Sequence, residues 1–228
     1  MQIAVNWSSE VKRGFPNLAI CVGTVNGTHV EKENEEIRKL RETVYDEVKT
    51  KYSIETLKDD LTVRAYRDFY WKLRIDPTKT RPSGEALLRR VLNGNQLPCI
   101  SAVVDAYNLA SMKTIISISG FDRDRLAPPF RVRFAVNGEV FAGIGMDTPM
   151  QLTDRMLVLT DERRVLCIYP YRDCDHTKIS LETRNAVIVG YGAPGITMEQ
   201  LKRAVEMTLA YIKQVSGGEI AEISVFGE

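Results

Sequence analysis

The sequence predicts an α+β fold, and two observations carry that prediction. Helical patterns cluster in the first half of the chain and short apolar runs in the second, without the strand–helix alternation of a parallel sheet. No linker, repeat or low-complexity stretch interrupts the 228 residues, so one compact domain over 1–228 is expected.

In chain order, Ile3–Val5 and Leu18–Val25 are apolar and β-branched, and the second run ends at the turn pair Asn26-Gly27, so both read as strands. A charged helix spans about 32–52, with Ile37, Leu40, Val44 and Val48 along one stripe. A second helix covers about 59–74, opened by Asp59 and Asp60, which favour a helix N-terminus, and closed by Pro77. A third starts at Ser83 as N-cap, carries Glu85 in its first turn and stops at Asn93-Gly94. A fourth, about 100–113, follows Pro98. Short strands are then expected at 115–118, 130–134, 156–160, 165–171 and 186–189. The last helix opens on a capping box, Thr197 with Gln200, and ends at Gly217-Gly218 before a final strand at 220–226.

Composition narrows the function. With 44% hydrophobic residues the chain can bury a core, which excludes disorder. No apolar run approaches the roughly 18–20 residues of a bilayer-spanning helix. The N-terminus lacks the basic-then-apolar pattern of a secretory signal, so the expected address is cytoplasmic. A net charge of +1 leaves no global field to capture nucleic acid, and any RNA contact needs a local patch. Cys21, Cys99, Cys167 and Cys174 are scattered and read as reduced. Cys174-Asp175-His176 offers half a zinc site, but the sequence supplies no second pair of ligands, so neither metal nor cofactor is expected.

Three further signals have plain readings. Gly190, Gly192 and Gly195 match G-x-G-x-x-G, yet the capping box starts the helix after Gly195 and a single strand follows, which favours a simple strand-to-helix turn. His176 lies between Asp173 and Asp175, but no nucleophile elbow exists, and both histidines (His29 and His176) read as structural or solvated. The segment 63–90 carries eight cations against three carboxylates, interleaved with Tyr66, Phe69, Tyr70 and Trp71. That mixture suits single-stranded RNA, but the spacing of Tyr66, Phe69 and Tyr70 suits a helix face packed in the core.

The most specific text runs from Arg81-Pro-Ser-Gly-Glu85 through Val103-Val-Asp105 and Tyr107-Asn108 to Gly120-Phe-Asp122-Arg-Asp-Arg-Leu126. It resembles the editing module, the B3/B4 domain, of the phenylalanyl-tRNA synthetase β subunit in its free-standing form. Arg133-Phe-Ala-Val-Asn-Gly-Glu139, Tyr171–Ile179 and Thr183–Val187 extend the likeness, which covers about 80–191. The resemblance implies mixed and antiparallel sheets packed with several helices. On that reading 1–79 supplies N-terminal strands and helices, 80–191 the family-like core, and 192–228 a closing helix and strand.

What the resemblance implies functionally is hydrolysis of a mischarged aminoacyl-tRNA ester, with the aminoacylated acceptor end of tRNA as partner, and neither DNA nor membrane. The family's Thr-Asn pair falls on Tyr107 and Asn108, its histidine on Ser119, and its amino-acid-reading glutamate near Val189-Gly190. The asparagine is kept and three partners differ. Serine and valine cannot penalise a substrate lacking a hydroxyl as buried histidine and glutamate can, so specificity for tyrosine over phenylalanine is not expected to survive.

An aminoacyl ester is already activated, and oriented donors suffice to polarise its carbonyl. Asn108 with the backbone at Ser119 and Gly120 is therefore the catalytic candidate. Tyr107, Arg81, Glu85, Arg172 and Thr177 are substrate-binding candidates by resemblance, and Asp105 and Asp122 are supporting ones. For Asp105 the competing role is a buried acceptor that ties down the helix, and for Asp122 a turn former. The alternative function is a non-catalytic binder of tRNA or an amino-acid-like ligand. The oligomeric state, amino acid and tRNA are not fixed by the sequence.

Overall fold

Residues 20–25 read as an uninterrupted apolar run because both faces of their strand are covered. The computed structural model, which describes residues 3–227, places this strand, β2 (Ile20–Asn26), inside a four-stranded sheet ordered β11-β2-β10-β3. Here β3 is Ser117–Asp122, β10 Asn185–Tyr191 and β11 Glu219–Phe226, and every pairing is antiparallel. Helix α6 (Met198–Ser216) lies across the sheet so closely that a Cβ at Gly23 would stand 2.6 Å from Val205 and 2.7 Å from Leu209.

A second sheet has the order β1-β4-β7-β8-β9, with β1 at Val5–Trp7, β4 Phe130–Phe134, β7 Leu157–Thr160, β8 Val165–Ile168 and β9 Arg172–Asp173. Strand β1 runs parallel to β4 and the rest are antiparallel, so the molecule has the expected α+β class with mixed and antiparallel sheets. Two short strands, β5 (Val140–Phe141) and β6 (Met150–Gln151), pair separately.

The helices before α6 are α1 (Ser9–Gly14), α2 (Glu35–Lys51), α3 (Leu61–Lys72), α4 (Ser83–Leu92) and α5 (Ala102–Thr114). Each begins where its sequence supplies an oxygen for the first free N–H groups. Asn34 caps α2, Asp60 caps α3, Ser101 caps α5, and the Thr197–Gln200 box opens α6 with both reciprocal bonds made. Helix α4 is the exception: its cap is Pro82 rather than Ser83, which is already helical. Helix α1, capped by Ser8, lacks a pattern long enough to be read as a helix.

Other boundaries shift for local reasons. Ile115 takes a left-handed conformation (φ 60°) that closes α5, so β3 starts at Ser117 rather than at 115. The expected strand at 165–171 is broken by a turn, Tyr171 N–H bonding the Ile168 carbonyl, and resumes as β9. The largest core cluster joins β2, β3 and β10 to α2, α5 and α6 and to Phe130, Val132, Leu166 and Tyr169 of the second sheet. A smaller one gathers Phe141, Leu152, Val158 and Ile168. Tyr66, Phe69 and Tyr70 are in the interior, which settles the face question for α3, while Trp71 is 55% exposed.

Candidate active site

Strand β3 is an edge of the four-stranded sheet and β9 an edge of the five-stranded one. The two meet through one side-chain bond, Ser119 Oγ–H donating to Asp173 Oδ1 at 2.6 Å. An isolated bridge between Phe121 and Lys178 ties the same edge to the segment after β9. Successive strand residues point to opposite faces. While Ser119 reaches across to Asp173, Gly120 lies under helix α5, where a Cβ would stand 2.7 Å from Tyr107 Cε1 and 3.4 Å from Ile179. The register sets Val189 opposite Ser119, so the positions likened to a histidine and a glutamate are neighbours on adjacent strands.

On α5, Tyr107 and Asn108 are both half-buried. No side-chain hydrogen bond among the described residues engages the Asn108 carboxamide. Asp105, one turn earlier, is tied down on both oxygens. Oδ2 accepts from Arg41 of α2 at 2.9 Å and Oδ1 from the Ile100 N–H at 3.0 Å. Burial pushes its carboxyl above the ordinary range, against the opposing pull of the Ile100 N–H and Arg41. It anchors the start of the helix that carries Asn108.

Asp122 forms the turn after β3, accepting from Asp124 N–H at 3.1 Å and from Thr183 Oγ at 2.9 Å. Glu85 is wholly buried and held by Arg67 (2.9 and 2.5 Å) and Arg89 (2.6 Å). Burial raises its pKa, but the hydrogen bonds from both arginines outweigh that and leave it lowered. This carboxylate locks α3 to α4 and has its oxygens committed. Arg81 is exposed at the start of α4, and Arg172 is exposed with its guanidinium on the Ile144 carbonyl at 3.2 Å. Thr177 is fully buried and its hydroxyl has no partner.

The residue that sequence reasoning passed over is Asp173. It was visible only as a neighbour of His176, which is exposed. Its significance comes from pairing with Ser119, 54 positions away, which no local pattern announces. Burial lifts the Asp173 pKa to about 6, tempered by the Ser119 hydroxyl and Cys167. Tyr191 of β10 is buried beside it, its hydroxyl unpartnered. The open cavities described, of about 400, 250 and 230 Å³, are lined by other residues; the two smaller ones share Leu73, Arg74 and Arg155.

Helices covering one face of a sheet whose edge strand is bolted to a second sheet define an α+β domain with a polar cluster at the junction. The B3/4 domain model matches residues 65–217, and the chain belongs to that family. The chain is similar to the phenylalanine–tRNA ligase β subunit of Haemophilus ducreyi, 24% identical over 147 residues, which are 54% of this chain and 18% of the relative. It therefore spans less than a fifth of that curated relative. Its fold is similar to a solved N-terminal fragment of the phenylalanyl-tRNA synthetase β subunit from Pyrococcus horikoshii, with a TM-score of 0.52 and 15% identity over 96% of this chain and 50% of the other.

Proposed function

We propose that the chain is a trans-acting aminoacyl-tRNA deacylase that works in the cytosol on the acceptor end of a mischarged tRNA. The observation that carries the reading is convergence. Tyr107 of α5, Ser119 and Gly120 of β3, and Asp173 of β9 come from three separated stretches and meet at one sheet edge, and Asn108 follows Tyr107 on α5. All lie within the region that matches the family.

The ester carbonyl needs an oriented donor, and the Asn108 carboxamide, on the helix seated against β3 and without a side-chain hydrogen bond among the described residues, is assigned that role. Tyr107 shapes the wall above Gly120, and the exposed Arg81 and Arg172 are available to phosphates. The ester is already activated, so positioning a water molecule against it supplies a large part of the rate.

The test is a deacylation screen over a panel of mischarged tRNAs. Turnover above the spontaneous rate is expected for at least one ester. Asn108→Ala should slow it by about 10- to 100-fold, the scale of one lost oriented donor at roughly 1–3 kcal/mol. A panel without turnover would refute the reading.

A second reading, a non-catalytic binder of tRNA, is favoured by one feature: apolar Val189 is fully buried where the resemblance places a substrate-reading glutamate. It predicts RNA binding that weakens steeply with salt and no hydrolysis.

A further inference from the structure

Asp173, only partly exposed, is an acid at the junction to which the deacylase reading assigns no chemistry. Its Oδ1 is fixed by the Ser119 hydroxyl at 2.6 Å, and no cation among the described residues pairs with it. Arg172, next in sequence, turns its guanidinium to a backbone carbonyl instead. The groups facing Asp173 come from four elements: Ser119 on β3, Cys167 on β8, Tyr191 on β10 and Tyr107 on α5. Burial pushes the thiol and both phenols upward, so all three stay neutral around neutral pH. Asp173 is partly exposed, so solvent reaches the residue at this edge, beside the more exposed Arg172 and Lys178.

We propose that Asp173 is the general base of this site, an inference that rests on the deacylase reading. The carboxylate takes a proton from a water molecule as the water oxygen bonds to the ester carbonyl carbon. The carbonyl π electrons move to oxygen, where the Asn108 carboxamide receives the charge. When the tetrahedral adduct collapses, the bond from carbon to the ribose oxygen breaks. Asp173 returns its proton to that oxygen, leaving free amino acid and deacylated tRNA. A base serves best when its pKa lies near the working pH, and the dry surroundings of Asp173, without a cation, move it in that direction. The Ser119 bond does two things at once: it orients the carboxylate and keeps its pKa from climbing further.

The competing role is a strap, with Ser119 and Asp173 only holding two sheet edges together. A pH–rate profile separates the two. Once the spontaneous rate is subtracted, hydrolysis by the unaltered chain should rise through an inflection near pH 6. Asp173→Asn, which keeps the acceptor for Ser119, should lose about 100-fold or more and lose the inflection. Ser119→Ala should move the inflection to higher pH, because the carboxylate loses its stabilising donor. Asn108→Ala should slow the reaction with the inflection in place. Far-ultraviolet circular dichroism shows whether each variant is folded, and should Asp173→Asn fail to fold, the Ser119→Ala shift carries the test. An active parent whose rate and profile are unchanged in Asp173→Asn overturns the general base and leaves the deacylase reading intact. A parent inactive on every mischarged tRNA overturns both.

Discussion

At neutral pH Asp173 carries charge in surroundings that resist it. In the folded chain the carboxyl keeps its proton up to about pH 6, whereas unfolded it releases it near its ordinary 3.8. Between those values the folded state binds more protons, so its stability falls as pH rises through the window. Two units of pKa amount to about 3 kcal/mol at most. Asp173→Asn removes this cost, and the variant is expected to be more stable than the parent at pH 7.5, by up to about 3 kcal/mol. The gain should fade to nothing below pH 4, as urea unfolding at several pH values will show. An equal effect at every pH would mean that the carboxyl is not perturbed. Glu85 behaves oppositely. Its removal leaves Arg67 and Arg89 without a counter-charge, and Glu85→Ala should cost about 3 kcal/mol in the same assay, toward the low end for a broken buried pair because both arginines are partly exposed.

Between elements, the contact that shapes the candidate site is the seating of α5 on β3. Gly120 permits it: a methyl group there meets the ring of Tyr107 at 2.7 Å. Gly120→Ala should therefore displace that ring, cost about 1–3 kcal/mol of stability, and slow deacylation more than it weakens tRNA binding. The check is unfolding alongside kcat and KM measured separately. Much at this scale was legible in the sequence. The capping box at Thr197, the stripe of α2 and the apolar run of β2 each depend on residues within a turn or two of one another. Where the reading slipped, the cause was a local conformation that composition does not encode, such as left-handed Ile115 or the Ile168–Tyr171 turn. Asn108, Ser119 and Gly120 were reachable through family resemblance. Asp173 was not, because its meaning depends on two sheet edges meeting.

Across the whole molecule, we infer that the described residues, 3–227, unfold as one unit. The N-terminal part supplies β2, which stands between β11 and β10, and α2, which grips α5 through Arg41 and Asp105. Strands from the first, middle and last parts of the chain (β2, β3 with β10, and β11) therefore share one sheet and pack on one core cluster. Fluorescence of Trp7 and Trp71 and circular dichroism should report coincident denaturant transitions, and separate midpoints would divide the chain. Function at this scale is also set by charge. Several cations of 63–90 are occupied, Arg64 by Asp59 and Arg67 and Arg89 by Glu85. Lys72, Arg74, Lys79, Arg81 and Trp71 remain exposed. Among the described residues no helix is long and apolar enough to cross a membrane.

The central claim is that Asn108 of α5, with Ser119 and Asp173 at the junction of the two sheet edges, directs water onto an aminoacyl ester. Single-turnover hydrolysis of a mischarged tRNA panel by the full chain, run beside Asn108→Ala and Asp173→Asn, tests it most directly. Ester loss well above the spontaneous rate, slowed in both variants, is the predicted result. Hydrolysis no faster than in buffer for every tRNA, or equal rates in all three proteins, would contradict it.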